Sequence, residues 1–136
     1  MTNAGRREFK LPEADEDFLA RLSLSWETVS QAQRRWLIIY GFPMPTGFTV
    51  AIADLAIEIL AGYPPGPLDM AYFFPALHRS DGKPIPTTQV TEIISGRSWQ
   101  RWSRHRTPEC PWVPGDDCLE THVDLIRTFL DREPKR

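Results

Sequence analysis

The stretch Arg35-Trp36-Leu37-Ile38-Ile39-Tyr40-Gly41 decides the fold. Its run of aromatic and branched side chains closes on a glycine, the pattern of a β-strand. Toward the C-terminus, residues 41–47 carry Pro43 and Pro45 and read as a turn. In residues 48–60, Asp54, Ala56 and Glu58 alternate with Leu55, Ile57 and Ile59, which predicts a half-buried strand with one wet face. The stiff crossing Tyr63-Pro64-Pro65-Gly66-Pro67 follows, and Leu68-Asp69-Met70-Ala71-Tyr72-Phe73-Phe74 supplies a third strand. Strands joined by short turns pair as an antiparallel meander.

Toward the N-terminus, residues 25–33, with Trp26 and Val29, read as a short helical or turn segment. A helix is expected from Pro12, because Glu13, Asp15, Glu16 and Asp17 suit the positive end of a helix dipole. Phe18, Leu19 and Leu22 would form its buried stripe. Residues 1–10 read as a flexible tail. Beyond the third strand the chain is irregular from 75 to 115, with a candidate hairpin of 90–94 and 98–102 around Ser95-Gly96-Arg97. A last helix starts at a cap on Asp116 or Asp117, with Glu120 completing a box. It buries Leu119, Val123, Ile126 and Leu130, with Phe129 beside them, and Pro134 stops it. The expectation is one α+β domain over residues 11–133, a three- or four-stranded meander flanked by an N-terminal and a C-terminal helix.

The 136 residues are 41% hydrophobic with a net charge of −2, which exerts no global pull toward nucleic acid or anionic lipid. The longest strongly apolar stretch, 36–40, is too short to span a membrane, and no secretory leader is visible, so a cytoplasmic protein is expected. Cys110 and Cys118 fit neither a cytosolic disulfide nor a zinc motif. His78, His105 and His122 lack metal-ligand spacing, so neither metal nor cofactor is expected. Thirteen prolines cluster at the turns and divide the chain.

Read together, these features resemble the ubiquitin-conjugating (UBC, or E2) superfamily. A Tyr-Pro-x-x-Pro crossing precedes a strand, and Trp112-Val113-Pro114 precedes the last helix, in the order of that family. Gly41-Phe42-Pro43, Tyr72-Phe73, Trp99-Gln100-Arg101-Trp102-Ser103-Arg104-His105-Arg106 and Thr121-His122 resemble, more closely, its bacterial branch called prokaryotic family E. The resemblance implies a UBC-like fold and a transferase role in a ubiquitin-like conjugation pathway. The implied partners are a ubiquitin-like protein, an activating (E1-like) enzyme and an associated peptidase.

In the wider family a cysteine accepts the ubiquitin-like tail a short interval before the Trp-x-Pro turn, and an asparagine stabilises the oxyanion. Here the only asparagine is Asn3, and the same interval counted back from Trp112 reaches Ser103, Arg104 and His105. Three readings stay open. Cys110 could accept the tail as a thioester, activated by the basic residues before it. Ser103 could accept it as an oxyester, with His105 or His122 as base. The domain could instead be a non-catalytic scaffold that holds a ubiquitin-like protein. Arg97, Trp99, Arg101, Trp102, Arg104 and Arg106 form a candidate partner surface, the arginines suited to carboxylates. The bland alternative makes the tryptophans core and the arginines a solvated face. A different class, a single-stranded nucleic-acid module stacking bases on Trp99 and Trp102, conflicts with the slightly acidic chain.

Overall fold

The computed structural model describes residues 5–136. Helix α1 spans Glu13–Leu22 and helix α2 spans Leu119–Arg132. Between them lie β1 (Trp26–Gln31), β2 (Arg34–Pro43), β3 (Ile52–Glu58), β4 (Ala71–Phe74), β5 (Thr91–Ile94) and β6 (Arg97–Trp102), with a short 3₁₀ turn at Glu133–Lys135 closing the chain. All neighbouring strands are antiparallel, in the order β1-β2-β3-β4-β6-β5. The layout is the α+β one expected, with six strands instead of three or four.

Two local readings change. Of the segment 25–33, residues 26–31 form the strand β1 and no helix, and pair with β2 from Trp26↔Ile39 to Gln31↔Arg34. The turn between them uses Ala32 (φ 52°) and Gln33 (φ 64°), left-handed positions that carry no glycine or asparagine to announce a hairpin. β2 also runs on to Pro43, through a register shift between Ile39 and Phe42. Gly41, at φ 71°, takes up that bulge, and its N–H donates to Asp54 Oδ1 at 2.9 Å.

Both faces of the sheet are covered. On one, Leu37, Ile39, Leu55, Ile57, Phe73 and Trp102 pack in the core shared by α1 and α2. The other holds Val29, Trp36, Ile38, Ala56, Tyr72, Ile94 and Trp99. The wet face expected for β3 is therefore a second core. Successive strand residues point to opposite faces, so Trp99 and Trp102, three apart, belong to different cores. The second core is closed because the sheet curls until its end strands meet. The Gln31 amide of β1 donates to Ile93 O (2.8 Å) and accepts from Ser95 N (2.9 Å), beside β5. Arg34 adds a rim, paired with Glu58 (2.9 Å) and Glu92 (3.0 Å).

Of the expected flexible tail, residues 1–4 lie outside the described residues. The described part is fastened to the outer edge of β1: Arg7 bridges Thr28 in parallel, with N–H···O bonds of 3.0 Å on either side. That cover protects an open sheet edge. At the other end, the Asp117 carboxylate accepts the N–H of Val113 (2.7 Å) and so caps a turn, not the helix. α2 therefore starts one residue later, with Cys118 N–H donating to Thr121 Oγ1 at 3.0 Å.

Candidate functional site

A buried polar knot holds the corners of the site. The Tyr63 hydroxyl donates to Asp15 of α1 (2.5 Å) and accepts the first N–H of α2, from Leu119 (2.9 Å). Burial raises the pKa of both the Asp15 carboxyl and the Tyr63 phenol. The proline crossing is thereby tied to both helices. Trp112 fastens the later loop to the same crossing: its indole N–H donates to Pro64 O (3.2 Å), and its ring meets that of Tyr63 edge-on at 5.9 Å.

The segment after β6 is held between these corners. Ser103 N–H donates to Thr87 O (3.1 Å), which fixes the backbone as the chain leaves the sheet. Ser103 Oγ lies 3.2 Å from His105 Nε2. The Nδ1 of the same ring lies 2.9 and 3.1 Å from the two oxygens of Asp69. A carboxylate can only accept, so Nδ1 donates to Asp69, and in the neutral ring Nε2 is the acceptor that faces the serine hydroxyl. The His105 side chain is 60% exposed and that of Asp69 33%. This is an accessible surface arrangement, weaker electrostatically than a buried one. Pro67, Leu68, Asp69, His105, Arg106 and Trp112 line a shallow cleft of about 260 Å³ beside it.

Cys110 lies exposed on the same loop, its Sγ 3.8 Å from Arg106 Nη1. The Arg106 guanidinium rests over Trp112 at 5.0 Å and faces Asp117 at 3.8 Å. Its Nε and Nη2 are buried with no hydrogen-bond partner among the described residues. The arginine is therefore part of the cleft wall, held over Trp112.

The other expected site residues separate from this cluster. Trp99 and Trp102 have no exposed surface, so they offer nothing to a partner, and the base-stacking platform is not there to be used. Arg97 is paired with Asp54 (2.9 Å) and lies over Phe74. Arg101 is half-buried on β6. Arg104 donates to Pro86 O and Thr87 Oγ1 and pairs with the buried Glu133 at 3.3 Å, and burial lowers its pKa. Most of the arginine string is thus committed to structure. His122 is buried within α2, and burial lowers its pKa. It donates from Nε2 to Met70 O (3.0 Å), so it anchors the backbone beside Asp69 instead of serving as a solvent-facing base. Cys118 is half-buried at the helix cap.

Asp69 is the member that sequence reasoning missed. The sequence places it within the expected third strand 68–74, whereas β4 begins at Ala71 and Asp69 stands on the crossing, its partner 36 residues away. The available signal was chemical: a histidine base beside a serine needs a group to orient it.

Among the described residues no group of three His, Cys, Asp or Glu side chains is placed to hold a metal, and no helix is long and apolar enough to cross a membrane. Residues 11–133 match the family model described as prokaryotic E2 family E. No curated protein and no solved structure gives a match.

Proposed function

We propose that this chain, which belongs to prokaryotic E2 family E, receives the C-terminus of a ubiquitin-like protein from an activating enzyme as an ester on Ser103 and passes it to an amine. The observation that supports this most is the 3.2 Å contact of Ser103 Oγ with Nε2 of His105. A hydroxyl is a weak nucleophile without a base in reach, and His105 supplies one.

In the first half-reaction Ser103 Oγ attacks the carbonyl of the tail thioester while its proton moves to His105 Nε2. The carbon–sulfur bond breaks, the activating enzyme's thiolate takes that proton, and the tail remains as a Ser103 ester. In the second half-reaction an amine attacks the ester, His105 accepts its proton, and the Ser103 oxygen leaves and recovers it. The exposed loop and shallow cleft suit a tail delivered by a large partner, which a deep pocket would exclude. The associated partners are an activating enzyme and a peptidase in a bacterial cytoplasm.

A second reading rests on a separate observation. The Cys110 thiol is exposed, with its Sγ 3.8 Å from Arg106 Nη1, and an exposed cysteine on the same loop is a nucleophile that a tail thioester can reach. Charging with the cognate ubiquitin-like protein and activating enzyme separates the two. The serine route gives an adduct that survives thiols, is released by mild base, persists in Cys110→Ala and disappears in Ser103→Ala and His105→Ala. A thiol-sensitive adduct lost only in Cys110→Ala moves the acceptor to Cys110. Charging equal to wild type in all three variants, with the tail on another residue, overturns both routes, and no covalent charging at all leaves a scaffold role.

A further inference from the structure

We infer that Asp69, His105 and Ser103 form a working acyl-transfer relay in the free chain, so that Ser103 is acylated by small activated esters, and the acyl-serine hydrolysed, with no partner protein present. This rests on the same Ser103–His105 pair as the proposed conjugation role and adds a third residue and a partner-independent activity.

The geometry is that of a serine nucleophile, an imidazole base and a carboxylate orienter, recognised by roles and not by chain order. Both Asp69 oxygens lie within 3.1 Å of His105 Nδ1, and Ser103 Oγ lies on the opposite nitrogen of the same ring. The carboxylate is held in place from several sides. Leu68 before it is fully buried. Met70 after it takes φ 59°, a left-handed conformation uncommon for a non-glycine residue, and its carbonyl is fixed by His122 of α2. Such backbone is found where the surroundings over-determine it, often at functional sites. The turn thus aims Asp69 at the loop while its neighbours stay in the core.

The exposure of the imidazole has a chemical consequence. Water reaches the acyl-serine, so an ester formed there has a ready second nucleophile. With p-nitrophenyl acetate, Ser103 Oγ bonds to the acetyl carbon, the bond from that carbon to the phenolic oxygen breaks, p-nitrophenolate departs, and the Ser103 proton passes to His105 Nε2 and on to solvent. Water then attacks the acyl carbon, His105 takes one of its protons and returns it to Ser103 Oγ as the ester bond breaks, and acetic acid leaves and gives its remaining proton to solvent. Asp69 is a positioning residue here, since it touches only the imidazole. The charged and titratable groups around His105 are Asp69 on the crossing, Arg104 and Arg106 on its own loop, and His122 and Asp117 beyond them.

The test is p-nitrophenolate release by the full chain across pH, with mass spectrometry locating the acetyl group. Acetylation of Ser103 is expected, with the reaction retained in Cys110→Ala and lost in Ser103→Ala and His105→Ala. Asp69→Asn should slow acylation by about a hundredfold, the lower end of what a positioned base contributes, and should change the shape of the pH profile. Asp69→Glu should recover part of the rate. Acetyl on Cys110 alone, or no acetyl on Ser103, overturns the relay. An Asp69→Asn variant with an unchanged rate and pH profile overturns the role of Asp69. A chain acetylated on Ser103 but never charged by an activating enzyme supports the relay and removes only the conjugation reading. A chain charged on Ser103 but inert to the ester removes the relay's independent activity.

Discussion

Tyr63→Phe isolates one oxygen that joins three elements. The ring is kept, so packing against Trp112 is preserved, and only the hydroxyl between Asp15 and Leu119 N is lost. Asp15 is 2% exposed, so its carboxylate would lose a donor that water cannot replace. A hydrogen bond to a charged group contributes about 1.5–3 kcal/mol and a neutral one about 0.5–1.5 kcal/mol. The combined loss is about 3 kcal/mol, which lowers Tm by about 10 °C in a domain of this size. The pH dependence has a definite sign. Burial already raises the Asp15 pKa, and losing its donor raises it further, so the variant takes up a proton that removes the charge penalty. The difference between the two proteins should therefore be largest at neutral pH and shrink in acid. Urea unfolding of both proteins at several pH values measures it. A loss below about 0.5 kcal/mol at neutral pH, within the range of ordinary surface substitutions, refutes the idea that this hydroxyl ties the crossing to the helices.

Two further outcomes follow from the packing. His122 has a folded-state pKa held below its ordinary value by burial, so its contribution to stability is complete above about pH 6.5, the unfolded value, and is lost as pH falls through the folded value. His122→Gln should flatten that part of the stability–pH curve, and an identical slope in the two proteins contradicts the assignment. Gln31→Ala should cost about 1–3 kcal/mol, two hydrogen bonds at about 0.5–1.5 kcal/mol each, and should speed amide hydrogen exchange at Ser95, whose N–H donates to Gln31. Unchanged exchange there means that the curled sheet does not depend on this clasp.

The parts of the fold that were legible are those whose side-chain pattern matches one local geometry. The apolar face of α2 at Leu119, Val123, Ile126 and Leu130 is buried as its spacing requires. The hairpin of β5 and β6 announces itself through Ser95-Gly96, whose φ values of 52° and 81° form the turn. The β1–β2 hairpin was hidden because Ala32-Gln33 adopts comparable angles with residues that carry no such signal. The wet face assigned to β3 failed for a tertiary reason. Curling of the sheet covers Ala56, and side chains from other strands pair with Asp54 and Glu58. At the site, Ser103 and His105 were legible because two residues apart on an extended chain share a face. Asp69 was not, since a contact made across the crossing leaves no periodic trace.

In the proposed reaction the hydroxyl of Ser103, not a thiol, carries the tail. Peptide mapping of the charged wild-type chain locates the acceptor atom. After tryptic digestion under mildly acidic conditions, the remnant of the ubiquitin-like tail is expected in ester linkage on the Trp102-Ser103-Arg104 fragment. A remnant found on Cys110, with Ser103 unmodified, would contradict it.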